Sequence, residues 1–362
     1  MYCLQRAFEK LQVLRENSAQ MRQKQPGVKD VARLAEVSLG TVSHVLNHPE
    51  RVTAETRKKV LAAIKELRFT RNSAASQLRA GRRTAIGLIV PDIANPFFSE
   101  VARGVEDEAD AQGYTVLLCN AAESEDRQRR HLQFLLEERV TGVLITPVNN
   151  KHTREATEPF LAAGQSVVLI DQIPRYQQSC LVAVDDVLGG DLAGTHLLDQ
   201  GATSVVFVGG RSWIRQSTDR LAGLRDAVAR HQSNATITVI EVEGMGSSCG
   251  YRAGEEILAI RPEAVFCAND LLALGVMRQL LENKVRIPND VLLMGYDDID
   301  FAASAAVPLS SVRQPAYQLG KTSAFLLFAE ADDLTGEHAH QQILFKPELV
   351  TRASTLVEAT AS

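Results

Sequence analysis

Aromatic residues make up only 5% of the chain, with a single tryptophan, and no apolar run approaches the roughly 20 residues that a bilayer-spanning helix requires. No contact with a membrane is expected. The five cysteines (Cys3, Cys119, Cys180, Cys249 and Cys267) include no C-x-x-C pair, which argues against a disulfide framework and gives no sign of a zinc site. A reducing cytoplasm is the compartment this implies. Catalytic signatures are missing as well. There is no G-x-G-x-x-G after the first strand, no P-loop, no G-x-S-x-G and no H-E-x-x-H. The stretch LVAVDDVLGGDLAG contains glycines without the dinucleotide spacing, and the eight histidines read as dispersed, with His44, His48 and His231 in surface contexts. No catalytic residue, metal ligand or cofactor is therefore assigned.

What is present is a marked asymmetry of charge. Residues 1–83 carry 17 Lys and Arg against 7 Asp and Glu, whereas the rest carries 22 against 37. A basic head on an acidic body suits a polyanion bound at one end, with salt-dependent attraction through counterion release. At 362 residues the chain exceeds one ordinary core, so a small domain and a larger or two-lobed body are expected. The first twenty residues place Leu4, Phe8, Leu11 and Leu14 near helical spacing but contain no secretory h-region. Met21 is read as the natural start, and residues 1–27 as an N-terminal extension.

Over residues 28–70 the pattern becomes dense. VKDVARLAEV predicts a short helix with Val31, Ala32, Leu34 and Ala35 on its apolar side. Ser38 caps LGTVSHVLN, whose Val42, Val45 and Leu46 face inward, and Thr53 opens a third helix with Val60, Ile64 and Leu67 in register. Two short helices, a tight turn and a bracing helix make a helix-turn-helix unit. The second helix presents Leu39, Gly40, Thr41, Ser43, His44 and Asn47, small or hydrogen-bonding groups able to approach base edges and phosphates.

From Thr84 the chain alternates strand and helix: AIGLIV, TVLLCN, VLITP, SVVLID, SVVFVGG, ITVIEVE, AVFCAND and VLLMGYDD are strands separated by amphipathic helices. Continuous apolar strands of this kind belong to parallel sheets covered on both faces, and about ten of them fit two doubly wound lobes better than one sheet. In such lobes the strand C-terminal ends face the intervening cleft. Those ends carry Asn95, Phe97, Phe98, Thr146, Asp171, Gln172, Asn269 and Asp297, with Arg220 on a following helix. Planar acceptors and donors for vicinal hydroxyls, with rings for a C–H face, are what a sugar site needs.

The run VKDVARLAEVSLGTVSHVLNHPERVTAETRKKVLAAIKEL resembles the LacI/GalR head throughout, and NPFFSEVARGVEDEA, AVDDVLGGDLAGTHLL, DRLAGL, CANDLLALG, GYDD and SSVRQP resemble that family's periplasmic-binding-protein-like core, in order. The resemblance implies an α/β fold in which two doubly wound parallel-sheet lobes follow an all-α helix-turn-helix head and a hinge helix. The implied divisions are 28–70 for the head, 71–83 for the hinge, 84–184 plus 313–342 for the first lobe, and 185–312 plus 343–358 for the second. Leu39, Gly40 and His44 fall where the family reads bases. Ser38, Thr41, Ser43, Asn47, Arg51, Thr53 and Thr56 fall where it holds phosphates or supports the reading helix. Gly27 replaces a capping Thr that also touches phosphate, so that contact is lost or passes to the backbone amide.

Residues 71–80 are rich in small residues and resemble the hinge helix, with Ala75 and Leu78 at its minor-groove positions; a flexible linker with Leu78 packed on the core is the alternative. Effector positions map to Asn95, Phe97, Phe98, Thr146, Asp171, Gln172, Arg220, Met245, Asn269, Asp297 and Gln314. The set looks most like ribose binders, although Met245 stands where a second aromatic often sits and Gln172 where an Arg does. Ile214 occupies the place of the purine branch's base-recognising Arg. The implied protein is a homodimeric repressor, not an enzyme, that binds a pseudo-palindromic duplex operator under control of a pentose or related sugar. A sensor of a nucleoside or purine acting as co-repressor is the first alternative and a sugar-metabolising enzyme the second.

Overall fold

A computed structural model describes residues 26–69, 85–171, 179–231, 234–333, 335 and 338–356. The chain divides into two compact units at Arg82/Arg83. In the first unit, helices α1 (Val28–Leu34), α2 (Leu39–Asn47) and α3 (Ala54–Glu66) enclose a small core of Val31, Ala32, Ala35, Val42, Val45, Val60 and Ala63. Leu34 departs from its expected inward position and is 42% exposed. The helix ends there after two turns, and the small Ala32 and Ala35 already fill the contact with its neighbours.

Among the described residues the second unit contains twelve strands. The first sheet has the order β11-β5-β4-β3-β1-β2, built from β1 (Ala85–Val90), β2 (Thr115–Asn120), β3 (Gly142–Ile145), β4 (Ser166–Ile170), β5 (Cys180–Val184) and β11 (Gln342–Phe345), all parallel. The second has the order β7-β6-β8-β9, from β6 (Ser204–Gly210), β7 (Thr236–Val242), β8 (Ala264–Cys267) and β9 (Leu292–Met294), again parallel. A two-stranded antiparallel ribbon, β10 (Ser311–Arg313) with β12 (Glu348–Val350), runs beside the end of β9. Near-complete burial of β1, β3, β5 and β8 explains their unbroken apolar sequences. Among the described residues no helix is long and apolar enough to cross a membrane.

The chain passes between lobes after β5, again near Gln314, and a third time between β11 and β12. The third exchange was expected at Ile343. It falls later because Ile343 pairs with Val182 and Phe345 with Val184, keeping β11 in the first sheet.

Helices cover both faces. In the first lobe these are α4 (Pro96–Ala111), α5 (Glu125–Glu137), α6 (Thr153–Ala162) and α12 (Ala316–Ala331). In the second they are α7 (Asp186–Asp199), α8 (Arg215–Arg230), α9 (Ser247–Ile260), α10 (Asp270–Glu282) and the single turn α11 (Asp300–Ala303). Helices α7 and α8 cross at reciprocal glycines. A methyl group on Gly190 would collide with the Arg220 carbonyl, and one on Gly223 with that of Val187. Gly189 likewise leaves room for the Tyr296 hydroxyl. The glycines of LVAVDDVLGGDLAG thus serve close packing, and this crossing sets the position of Arg220. Gly190→Ala is expected to lower stability by about 1–3 kcal/mol through overpacking. Chemical denaturation of the full chain checks this, and an unchanged midpoint would show that the helices can separate without cost.

Candidate functional site

The head offers an exposed helix surface. Ser38 Oγ accepts from Thr41 N–H at 3.0 Å and lies 2.9 Å from the Thr41 hydroxyl, which fixes the start of α2. Thr53 and Thr56 repeat the arrangement at α3, at 3.4 and 2.9 Å. Val42 and Val45 anchor α2, while Leu39, Gly40 and His44 project from the opposite side, Leu39 being 48% exposed. Arg51 and Thr53 are exposed, and Thr41, Ser43 and Thr56 are half-buried. Asn47 ends α2, and Ala75 and Leu78 lie outside the described residues. At Gly27 the amide donates to the Asp30 carboxylate at 2.9 Å, closing the first turn of α1.

The second unit holds a buried polar cluster where the two lobes meet. Asn95 caps α4 by accepting from Phe97 N–H, and its Nδ2 donates to Asp297 Oδ2 at 3.1 Å. Gln314, at the second exchange, donates to the other Asp297 oxygen at 2.7 Å. Arg220 Nε donates to Asp186 at 2.8 Å, another of its nitrogens donates to the Ala268 carbonyl, and its guanidinium lies 3.8 Å from Asp297. The same group covers the Tyr296 ring at 3.6 Å. Asn269 caps α10 and donates to the Met245 carbonyl at 3.0 Å, while the Met245 amide donates across the lobes to Glu123 at 2.9 Å. Asp171 joins the seam through its carbonyl, which accepts from Gln216 at 3.3 Å.

Asp171, Asp297 and Asp298 all adopt left-handed backbone, at φ 59°, 107° and 55°. Such conformations cost about 1–3 kcal/mol each and persist where the surroundings over-determine them. Two further polar atoms, Thr146 Oγ1 and Gln314 Oε1, are buried without a hydrogen-bond partner, a condition that normally costs about 1–3 kcal/mol.

Arg220, Asn95, Asp297 and Gln314 are thus joined by one network, while Asn269, next to the Ala268 carbonyl that Arg220 holds, pairs separately with Met245. Phe97 is a core residue of the first lobe. Phe98 is half-buried and meets it edge-on at 5.1 Å. Gln172 lies outside the described residues. Reading strand ends missed Asp186, Tyr296 and Glu123. Asp186 directly follows the helix-capping Asp185 in AVDD, and Tyr296 precedes Asp297 in GYDD; only their burial beside Arg220 marks them out.

The reading of the cysteines and histidines as scattered also needs correction. Among the described residues there is no disulfide, and the four cysteines are buried. Cys180, however, lies beside His338 and His340, which are distant in sequence, because β11 pairs with β5.

Burial raises the Asp171 carboxyl to about 7, aided by the Asp186 charge and opposed by Arg220 and Arg215. Burial likewise raises Asp297 to about 6 against the pull of Arg220, Asn95 and Gln314. Burial disfavours the Arg220 cation, but Asp186, Tyr296, Asp297 and Asp171 together raise its pKa above normal. An unfolded Asp titrates near about 3.9. Between about pH 4 and 7 the folded protein therefore holds protons that the unfolded chain has released, and stability falls as pH rises through this window. In Asp171→Asn this decline should be smaller, as measured by denaturation at pH 5 and pH 8. An equal decline in both proteins would remove Asp171 as its source.

Residues 27–72 match the family of bacterial regulatory proteins of the lacI family, and residues 195–355 match a periplasmic binding protein-like domain. The chain is 35% identical over 343 residues to the HTH-type transcriptional repressor PurR of Vibrio cholerae serotype O1, covering 92% of this chain and 99% of that protein. It is 34% identical over 330 residues to the ribose operon repressor of Escherichia coli K12, covering 90% and 99%. Its structure resembles a lac repressor dimer bound to operator and the anti-inducer ONPF, with a TM-score of 0.78 and 27% identity over 92% of this chain and all of that one. A LacI family transcriptional regulator from Enterococcus faecium with bound ribose aligns with a TM-score of 0.68 and 30% identity over 75% of this chain and 98% of that one. A three-helix head followed by two parallel-sheet lobes defines the class, a regulator with a periplasmic-binding-protein-like core. Within it, the chain belongs to the LacI family.

Proposed function

We propose that the protein is a cytoplasmic, homodimeric transcriptional repressor that binds a pseudo-palindromic operator and is controlled by a pentose or related sugar held between its lobes. The carrying observation is the buried polar seam joining Asn95, Asp297, Gln314 and Arg220, with Gln314 Oε1 unpartnered within it. Asp171 and Asp297 accept hydrogen bonds from sugar hydroxyls. Arg220, its fork fixed by Asp186 and Ala268, donates to a ring or hydroxyl oxygen. A hydroxyl beside the 3.8 Å Arg220–Asp297 pair accepts from one and donates to the other. Phe98 offers a ring for the apolar face, and Thr146 and Gln314 gain partners.

Because both lobes contribute to the network, a bound sugar favours the lobe arrangement that best closes it. That arrangement biases operator binding only through a difference in sugar affinity between the DNA-competent and incompetent states. In the head, Leu39 and His44 read the major groove, and Ser38, Thr41, Ser43, Asn47, Arg51, Thr53 and Thr56 hold its phosphates or support the reading helix, with Gly40 allowing close approach. Ala75 and Leu78 are assigned to the minor groove by family resemblance. The relatives are named as repressors, which supports a regulatory rather than an enzymatic role.

A purine effector is the second reading, favoured by similarity to the PurR protein. The local chemistry supports a sugar better. The Ile214 side chain packs by Gly210, and the neighbouring Arg215 is engaged by Asp219. Calorimetry with D-ribose and with hypoxanthine separates the two readings. Heat with hypoxanthine alone would replace the sugar assignment.

For a sugar ligand, Asp297→Asn should weaken binding about 10- to 100-fold, the range for losing a charged hydrogen-bond partner. Affinity should rise from pH 5 to above pH 7 as Asp297 and Asp171 ionise. In gel shifts with the gene's own upstream region, His44→Ala should lower the preference over random duplex by about 5- to 100-fold, while Arg51→Ala weakens binding to both and reduces the salt slope by about 1. If the parent protein shows no preference for that DNA, with and without ribose and hypoxanthine, the repressor reading falls.

A further inference from the structure

A second cluster of chemically capable side chains lies away from the interlobe seam, at the opposite end of the first sheet. Cys180 opens β5, Glu330 sits in the last turn of α12, and His338 and His340 lie on the segment that precedes β11. One ligand atom from each of these four residues falls within 4.8 Å of every other. Cys180 Sγ is 3.2 Å from His338 Nε2 and 3.9 Å from His340 Nδ1, and His340 Nδ1 is 4.0 Å from Glu330 Oε2. A tetrahedral ion with bonds of about 2.0–2.3 Å needs its ligands roughly 3.3–3.8 Å apart. Small side-chain rotations convert one arrangement into the other.

We propose that Cys180, Glu330, His338 and His340 form a closed, four-ligand site for a divalent transition metal, with Zn2+ the ion that this mixture of one thiolate, two imidazoles and one carboxylate best fits. Three features of the surroundings support it. Glu330 Oε2 is buried without a hydrogen-bond partner, and a bound cation would supply the partner it lacks. The Gln341 amide donates to Cys180 Sγ at 3.4 Å, the kind of outer contact that orients a metal thiolate. The parallel pairing of β11 with β5, together with the Leu181 amide donating to the Gln341 carbonyl at 2.8 Å, holds the histidine segment over Cys180.

His338 and His340, two residues apart, both reach the Cys180 sulfur. Burial grades from Cys180 inside to His340 exposed, which gives the ion a way in. The other acid–histidine group on the first lobe, Glu125 with His152, offers one imidazole at 2.9 Å and lacks a thiol. Among the described residues the Cys180 quartet is the group with metal-ligand geometry. A bound ion would fasten the end of α12 to the β5–β11 edge. This lies at the strands' N-terminal ends, where β1 also begins at Ala85, so the site is separate from the proposed sugar site.

The test uses the full chain, stripped with a chelator under reducing conditions and titrated with ZnCl2 or CoCl2. One Zn2+ per chain should bind with Kd below about 1 μM and raise the melting temperature. Co2+ should produce thiolate-to-metal charge-transfer absorption that Zn2+ abolishes and that is lost in Cys180→Ser but kept in Cys249→Ser. Because His340 is exposed, His340→Gln leaves folding intact while weakening Zn2+ binding by more than the tenfold to hundredfold typical of losing an outer-shell partner. The same loss is expected for Glu330→Gln. Failure to bind one equivalent, charge-transfer absorption persisting in Cys180→Ser, or unchanged affinity in both His340→Gln and Glu330→Gln would each overturn the site.

Discussion

A buried guanidinium governs the body of this protein. Arg220 is enclosed by Asp186, Asp297 and the Tyr296 ring, and every neighbouring feature can be read as a response to that charge. Removing a cation from water is costly, so acceptors must be supplied from several directions. Asp186 comes from the start of α7, Asp297 from the loop after β9, and the Ala268 carbonyl from the end of β8. Asn95 and Gln314 then complete Asp297 from the first lobe and from an exchange segment. The lobes are thereby joined through polar groups that also suit hydroxyl recognition, while Ile299, Leu271 and Leu274 of the second lobe extend the first lobe's apolar core.

Much of this architecture is legible in the sequence. Unbroken apolar strands announce parallel sheets, and among the residues that follow their C-terminal ends Asn95, Asp171 and Asp297 make hydrogen bonds between the lobes. Individual partners are harder to read. Nothing in the local pattern separates Asp186, which holds Arg220, from Asp185, which caps a helix, because both follow the same apolar strand and burial alone assigns their roles. Phe97 and Phe98 are adjacent and chemically identical, yet one is buried in the core and the other only half-buried against it. The third exchange is displaced because β11 continues the first sheet through Phe345, a pairing across more than 150 residues that local periodicity does not encode. The same pairing brings Cys180 to His338 and His340, so residues scattered along the chain become neighbours.

The head shows the complementary case, in which local sequence is nearly sufficient. Ser38 and Thr53 fix helix starts through contacts three residues away, and the valines of α2 fix its orientation. What remains outward is a leucine and a glycine at the start of a short helix and a histidine in its last turn.

Asp298 has a mechanical meaning beyond its two ion pairs. One of its oxygens is 2.7 Å from Arg313 and the other 2.6 Å from Arg352, side chains on the ribbon strand before the second exchange and just beyond the strand that follows the third. Two of the three interlobe passages therefore share a common anchor on the second lobe. Sliding one passage past the other would break a carboxylate bridge, whereas swivelling the first lobe about that anchor need not. One aspartate thus ties together the chain segments on the second-lobe side of two passages.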